Sequence, residues 1–360
     1  MSDFAITVDP LKCLRNDYAY NECSICINIC PQKAITTRKG KLAIDENNCT
    51  LCHGCVGVCP TEALESSKFE PNFFIAKEIS IENNELKQKL IGETLKLSCK
   101  DIGVCLSVFD SSHLISLALK SNRKIEADLS ACNECDLNKQ DKLKIAIDAA
   151  IFETNSFLKE FANKNIEVKS DKKTDRRDFF KTIFKRSTAV VEEINESVEK
   201  PKTKLPLKRI LLKNAIKEAI EDTNRFVKGD YSFSISKTID KSCTNCKSCV
   251  EFCPTNALFY SNDFSKIYFQ SGKCVGCSIC NDICEPKAFV DGYEHDMSMF
   301  AFDKAATAIE HNIIVCKSCK MAFASKEGEE ICPKCEEFNR DFSYMFMTAE
   351  ELEALEKKKS

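Results

Sequence analysis

Apolar and polar positions fall into short blocks along this chain, and the blocks predict many small elements. Phe-Ala-Ile-Thr-Val at 4–8 and Lys-Leu-Ala-Ile-Asp at 41–45 read as short strands. Leu-Lys-Leu-Ser at 95–98 and residues 124–129 read as two more. Between that second pair, Ser111 or Ser112 caps a predicted helix that runs to Lys120. Leu143, Ala146, Ile147, Ala150, Thr154, Phe157 and Phe161 then keep helical spacing and predict a long helix. The order is β-α-β-α, and parallel pairing of the two strands would bring their ends to one sheet edge. Further on, a helix is predicted over about 207–227 and a strand at 266–270. Thr348-x-x-Glu351 is a capping box that opens a terminal helix. No apolar run reaches the length of a membrane span.

Composition narrows the picture. In 360 residues, 43% are apolar and 30% charged, which favours several small modules, some held by metal, over one large core. Nearly all of the 24 cysteines stand in Cys-x-x-Cys units, a chelating pattern that belongs to a reducing compartment. Residues 1–10 lack the basic and apolar regions of a signal peptide, so a cytoplasmic location is expected. The net charge of -3 selects no partner class, and no nucleic-acid partner is expected. Gly-x-Gly-x-x-Gly, a P-loop, His-Glu-x-x-His and Gly-x-Ser-x-Gly are all absent, which leaves no catalytic residue to name.

The chemistry sits in the cysteine spacing. Cys49-x-x-Cys52-x-x-Cys55-x-x-x-Cys59-Pro60 places a thiolate at every third residue, then a fourth after three more. Cys243, Cys246, Cys249 and Cys253 repeat it with Pro254, and Cys274, Cys277, Cys280 and Cys284 follow with Glu285 in place of the proline. Cys23, Cys26, Cys30 and Pro31 form the remaining copy, preceded by Cys13 across nine residues where two are standard. A longer loop closes on a cluster at modest entropic cost, so Cys13 is kept as a ligand. Cys30-Pro-Gln-Lys-Ala, Cys59-Pro-Thr-Glu-Ala, Cys253-Pro-Thr-Asn-Ala and Cys284-Glu-Pro-Lys-Ala expose an internal repeat.

Each pair of motifs resembles a bacterial ferredoxin module of the two-cubane type, and two in one chain resemble a polyferredoxin. The resemblance implies a small pseudo-symmetric fold at each end, four [4Fe-4S] clusters and a crossed ligand rule. By that rule Cys13, Cys23, Cys26 and Cys59 hold one cluster, and Cys49, Cys52, Cys55 and Cys30 the next. Cys243, Cys246, Cys249 and Cys284 hold the third, and Cys274, Cys277, Cys280 and Cys253 the fourth.

Cysteines also close both central strands: Cys99 and Cys105, then Cys132 and Cys135. They read as a further metal site for zinc or an iron–sulfur cluster, as a redox dithiol at Cys132 and Cys135 on a helix N-terminus, or as unrelated buried thiols. Cys316-x-x-Cys319 and Cys332-x-x-Cys335 resemble a zinc ribbon or a shortened rubredoxin site. Lys320 and Glu336 stand where a rubredoxin knuckle carries glycine, which favours zinc over iron. His53, inside a cluster loop, is expected to face solvent, with modulation of a cluster potential as its other reading.

The expected architecture is α+β and multi-domain: two ferredoxin-like modules flank a small α/β unit, with a zinc ribbon near the C-terminal end. The boundaries are 1–80, 81–168, a charged linker at 169–205, 206–295, 296–345 and a terminal helix at 346–360. In the linker, Arg176-Arg177 resembles a twin-arginine signal but sits in mid-chain with no apolar region behind it. Phe179, Phe180, Ile183 and Phe184 there predict an amphipathic docking helix. The leading functional expectation is a carrier that relays single electrons between oxidoreductase partners, such as a hydrogenase or formate dehydrogenase. An assembly or maturation factor for such an enzyme is the alternative, and a dithiol redox enzyme a third.

Overall fold

The computed structural model describes residues 5–17, 21–82, 92–170, 205–222, 225–326 and 328–342. The linker segment with Phe179 and the capping box at Thr348 lie outside them. In chain order the first unit runs β1 (Ile6–Val8), α1 (Leu14–Asp17), α2 (Ile25–Ile29), β2 (Ile35–Arg38), β3 (Lys41–Ile44), α3 (Gly54–Val58) and β4 (Leu64–Ser66). β1 pairs antiparallel with β4, and β2 with β3. The second pair is closed by Lys39 and Gly40, both at positive φ, whose turn matches the twist of the strands.

The central unit follows as α4 (Pro71–Glu82), β5 (Thr94–Ser98), α5 (Cys99–Ile102), α6 (Ser111–Lys120), β6 (Lys124–Asp128), α7 (Lys142–Phe161) and β7 (Ile166–Lys169). β5 and β6 pair in parallel, with Ser98 opposite Asp128, and β7 adds a third parallel strand. That third strand is only Ile-Glu-Val-Lys, too short to stand out in the sequence. The α6 cap is Asp110, one residue before the expected serines: its carboxylate accepts from the His113 N–H at 3.2 Å, and both serines are buried inside the helix.

Beyond the linker, α8 (Leu207–Ala219) ends well short of the expected Val227. Val227 instead lies fully buried in β8 (Phe226–Lys228). The last part contains β9 (Ser236–Ile239), α9 (Ser248–Glu251), β10 (Leu258–Tyr260), β11 (Lys266–Phe269), α10 (Ile279–Asp282), β12 (Phe289–Gly292), β13 (Glu294–Asp296), α11 (Met297–Ala301) and β14 (Ala306–Glu310). β12 pairs with β9 and β10 with β11, repeating the pattern of the first unit, while β14 extends the hairpin and β13 holds β8. A hairpin of β15 (Asn312–Val315) and β16 (Ala322–Ser325) leads to α12 (Pro333–Phe342).

One apolar core joins the first unit to the central sheet and α8: Ile6, Leu64, Leu97, Leu106, Phe157 and Leu212 all belong to it. A second core, with Ile239, Leu258, Ile267 and Phe269, fills the later cysteine-rich unit. Burial of these side chains contributes about 1.5–3 kcal/mol each. The first core is the larger, and it takes residues from both sides of the expected boundary at 80, so the first two expected units share one core. Among the described residues, no helix is long and apolar enough to cross a membrane.

Candidate metal centres

Four cysteine turns are built alike. Three residues after Cys30, Cys59, Cys253 and Cys284 stand Lys33, Glu62, Asn256 and Lys287, each at φ 53°. The left-handed residue swings the next N–H back onto the sulfur. Ala34 donates to Cys30 Sγ at 3.3 Å, Ala63 to Cys59 at 3.2 Å, Ala257 to Cys253 at 3.2 Å and Ala288 to Cys284 at 3.4 Å. All four alanines are buried, which leaves no room for a larger side chain. Such N–H bonds to sulfur are among the groups that set a cluster potential. Glu285 in place of proline leaves this turn unchanged.

The first cysteine of each motif has its own backbone donor two residues on. The N–H of Asn245 lies 3.5 Å from Cys243 Sγ, and the N–H groups of Leu51 and Gly276 bond to Cys49 and Cys274 in the same way. Arg15 N–H does so for Cys13, giving Cys13 the local geometry of a first cysteine despite its long loop.

Burial and neighbouring thiols raise several of these cysteines. Burial pushes the Cys26 thiol up to about 12, with Cys59, Cys23 and Cys13 adding to the rise. Cys52 is raised to about 11, first by burial and then by Cys105, Cys30 and Cys49, and Cys55 by burial and by Cys52, Cys26, Cys49 and Cys30. Cys249 rises to about 12 through burial and its neighbours Cys243, Cys246 and Cys284. Cys280 is raised by burial, against the pull of Lys237, and further by Cys274, Cys277 and Cys253. The neighbours so named follow the crossed pairing for Cys26, Cys249 and Cys280, while Cys55 has Cys26 of the other expected set among them as well.

An apolar hollow opens among Cys30, Cys49, Cys52 and Cys55, and another among Cys243, Cys246, Cys249 and Cys284. All 24 cysteines are described, and none of them is in a disulfide. Crowded thiols in low dielectric, already served by N–H donors, fit a cationic iron–sulfur core that would stabilise their thiolates.

His53 corrects its expectation. It takes φ 62°, which turns the ring inward, and only 2% of it is exposed. Its Nε2 lies 2.9 Å from Ser66 Oγ on β4, and burial lowers its pKa.

In the central unit, the register of Ser98 opposite Asp128 places Cys99 and the 129–135 loop at one sheet edge. Cys132 and Cys135 are not on a helix N-terminus: they stand at a 3-10 turn over Ser130–Glu134, and α7 begins only at Lys142. Burial, then Cys105, Cys99 and Cys135, push the Cys132 thiol up to about 12, opposite to what a nucleophilic dithiol needs.

The last group is tighter. The sulfurs of Cys316, Cys319, Cys332 and Cys335 all lie within 4.8 Å of one another, with Cys319 Sγ 3.8 Å from Cys332 Sγ. Four sulfurs set tetrahedrally about 2.3 Å from one ion stand about 3.8 Å apart. The Cys332 N–H donates to Cys316 Sγ at 3.2 Å. Lys320 takes φ 61°, the conformation a glycine would supply, and Glu336 lies inside α12, where no turn is needed.

The 4Fe-4S dicluster domain family matches residues 21–63 and again 242–288. The archaeal-type glutamate synthase [NADPH] of Thermotoga maritima is 39% identical over 49 residues, 14% of this chain and 10% of that protein. The same enzyme of Thermotoga sp. matches equally, so the chain spans about a tenth of the length of these relatives. Ferredoxin oxidoreductase 1 subunit ForD of Aquifex aeolicus is 33% identical over 55 residues, covering 14% of this chain and 70% of the subunit. With two copies of the domain, each carrying its cysteine turns and sulfur-directed N–H groups, the chain is an iron–sulfur protein that belongs to the 4Fe-4S dicluster ferredoxin family.

Proposed function

We propose that this chain is a cytoplasmic electron-transfer protein, relaying single electrons between oxidoreductase partners through four [4Fe-4S] clusters. The ligands are Cys13, Cys23, Cys26 and Cys59; Cys30, Cys49, Cys52 and Cys55; Cys243, Cys246, Cys249 and Cys284; and Cys253, Cys274, Cys277 and Cys280. When bound, each cluster accepts and returns one electron at a potential set by burial and hydrogen bonds to its sulfurs. The observation that carries the reading is the fourfold cysteine turn, in which a buried alanine N–H is aimed at a ligand sulfur. A scaffold needing only mechanical strength has no use for that uniformity. The helices that carry Cys26 and Cys55, α2 and α3, pack against each other, so the first two sites adjoin.

Cys316, Cys319, Cys332 and Cys335 hold a single zinc ion that folds the hairpin and α12 together. The relatives named as an oxidoreductase subunit and a glutamate synthase support an enzyme complex as the setting, with this chain as its carrier or carrier subunit. The test is iron and sulfide analysis of anaerobically purified protein, with stepwise reduction followed by electron paramagnetic resonance. About sixteen irons or more, reversibly reduced and with interacting spins within each pair, support the relay. About eight irons or fewer, in protein shown to have kept its clusters, would sink it and favour an assembly factor for such an enzyme.

A further inference from the structure

We propose that Cys99, Cys105, Cys132 and Cys135 hold a fifth [4Fe-4S] cluster, set directly beside the site of Cys30, Cys49, Cys52 and Cys55. The dicluster family matches neither this unit nor these residues. The inference shares with the relay the premise that the flanking sets hold cubanes.

Parallel pairing brings the four thiols to one edge. β5 ends at Ser98, so Cys99 leaves the sheet level with Asp128, and the chain after β6 turns at once into the Cys132 loop. Asn138 fixes that loop. Its Nδ2 donates to the Cys132 carbonyl at 3.1 Å, while its Oδ1 accepts the N–H groups of Leu143 and Lys144 at the head of α7. Cys105 accepts a hydrogen bond from Ser107 Oγ at 3.3 Å, and it packs with Cys132 against the same apolar core.

Spacing separates a cluster from a lone ion. One zinc draws four sulfurs to within about 4 Å of each other, whereas a cubane holds them further apart, on four separate irons. Among the described residues, the group at 316–335 is the cysteine set drawn in to 4.8 Å. The central four, all of them described, are not drawn in to that spacing.

The unit is also joined to the first module through its cysteine-bearing parts. Ser107 and Val108, just after Cys105, press on α3, the helix that carries Cys55: a Cβ on Gly57 would meet the Val108 carbonyl oxygen at 2.4 Å. Lys142 Nζ donates to the Cys30 carbonyl at 3.3 Å, and Lys139 Nζ to Gln32 Oε1 at 2.8 Å. A site built to hold zinc for stability alone has no need to sit against a neighbouring cysteine set in this way.

The test compares iron, sulfide and zinc in anaerobically reconstituted full-length protein, in the C132S/C135S double variant and in a flanking C277S/C280S variant. The expected result is about twenty irons per chain in the parent protein, with the central variant losing about four and no zinc. Equal iron in parent and central variant, with about four lost from the flanking variant, overturns the fifth site and leaves the relay standing. Loss of one zinc from the central variant overturns it as well. Iron lost from the central variant and none from the flanking one removes the shared premise, and the relay and a fifth site beside it fall together. Should the central variant fail to fold, the spin count of the fully reduced parent decides: about five per chain supports the site and about four overturns it.

Discussion

The guanidinium of Arg209 donates a hydrogen bond to the backbone carbonyl of Cys274 and another to that of Phe233. Arg209 lies on α8, which packs against α6 of the central unit, whereas Cys274 opens the last cysteine motif. One side chain thus ties the second cysteine-rich unit to the core of the first. Burial lowers its pKa to about 10, which still leaves the group charged at neutral pH, and its Cζ sits 5.1 Å from the centroid of the Phe300 ring. Arg209→Ala would leave two carbonyls without their donor at a cost of about 2–4 kcal/mol. The apparent melting temperature under anaerobic conditions should fall, and the resonance of the Cys274 set should broaden before the others change. An unchanged melt and unchanged spectra would show that the two units are held together by something else.

Gly57 and Gly40 predict a contrast. A Cβ on Gly57 would collide with the Val108 and Ser107 carbonyls at 2.4 and 2.7 Å, and both are backbone atoms that cannot rotate away. Gly57→Ala is expected to cost about 3 kcal/mol or more and to loosen the contact between α3 and the segment after Cys105. Gly40 is at φ 75° with open space around it, so Gly40→Ala should cost only about 1 kcal/mol, from backbone strain. Hydrogen exchange at α3 and at residues 105–109 reads the difference. Equal protection in both variants would count against the close packing.

The elements and cysteine sets legible in the sequence were those with a local signature. The spacing of Cys243, Cys246, Cys249 and Cys253 announces cluster ligands by itself, and the Cys-x-x-x-Ala offsets already contained the turn that aims an N–H at sulfur. The α7 positions from Leu143 to Phe161 kept their helical spacing and were found. Features fixed by distant partners were not legible. His53 is buried because β4 brings Ser66 under it, and nothing near residue 53 encodes that. The α8 end was overrun because Val227 pairs with His295, far away in the sequence. Lys208 buries its ammonium against Asp110 and the Gly57 carbonyl, and a lysine on a helix gives no warning of such partners.

That Lys208–Asp110 pair carries its own prediction. Although burial alone would raise it, the Asp110 carboxyl is held well below the usual carboxylate range by Lys208 and His113. Asp110→Asn removes the countercharge of a buried lysine while keeping an acceptor for the α6 cap, a loss of about 3 kcal/mol. Replacing both residues, as D110N/K208M, should recover part of it. If the double variant is no more stable than the sum of the single losses, the two groups are not coupled.

Glu153 sets a pH dependence of the opposite sense. Burial raises its carboxyl to about 7, opposed by hydrogen bonds from the Ser232 N–H, the Ser232 hydroxyl and Ser111, and the nearby Asp110 charge adds to the rise. An acid with a raised folded-state pKa binds its proton more tightly when folded, so the stability is present below its unfolded value and is lost as pH rises through about 7. Between pH 6 and pH 8 the apparent melting temperature should therefore fall, on a slope that Glu153→Gln flattens. The glutamine variant should match the parent only below about pH 4.5, the unfolded value, and exceed it increasingly up to pH 8. A parent protein whose melt is level across that window would remove Glu153 as a titrating group.

The group at 316–335 is separable from the others in the same protein. Its sulfurs already stand at single-ion spacing, and β15, β16 and α12 bury few apolar side chains of their own, so an ion bound here would supply the stability of this part. Cys319→Ser should abolish binding of about one zinc per chain, leave the iron content unchanged and open the hairpin to limited proteolysis. A zinc chelator should do the same to the parent protein without bleaching its iron–sulfur absorbance. If the chelator leaves the segment intact and the variant loses one iron in place of zinc, the ion at this site is iron, and the tetrathiolate belongs with the redox centres. Loss of iron in multiples of about four would instead mean that this segment holds a flanking cluster unit in place.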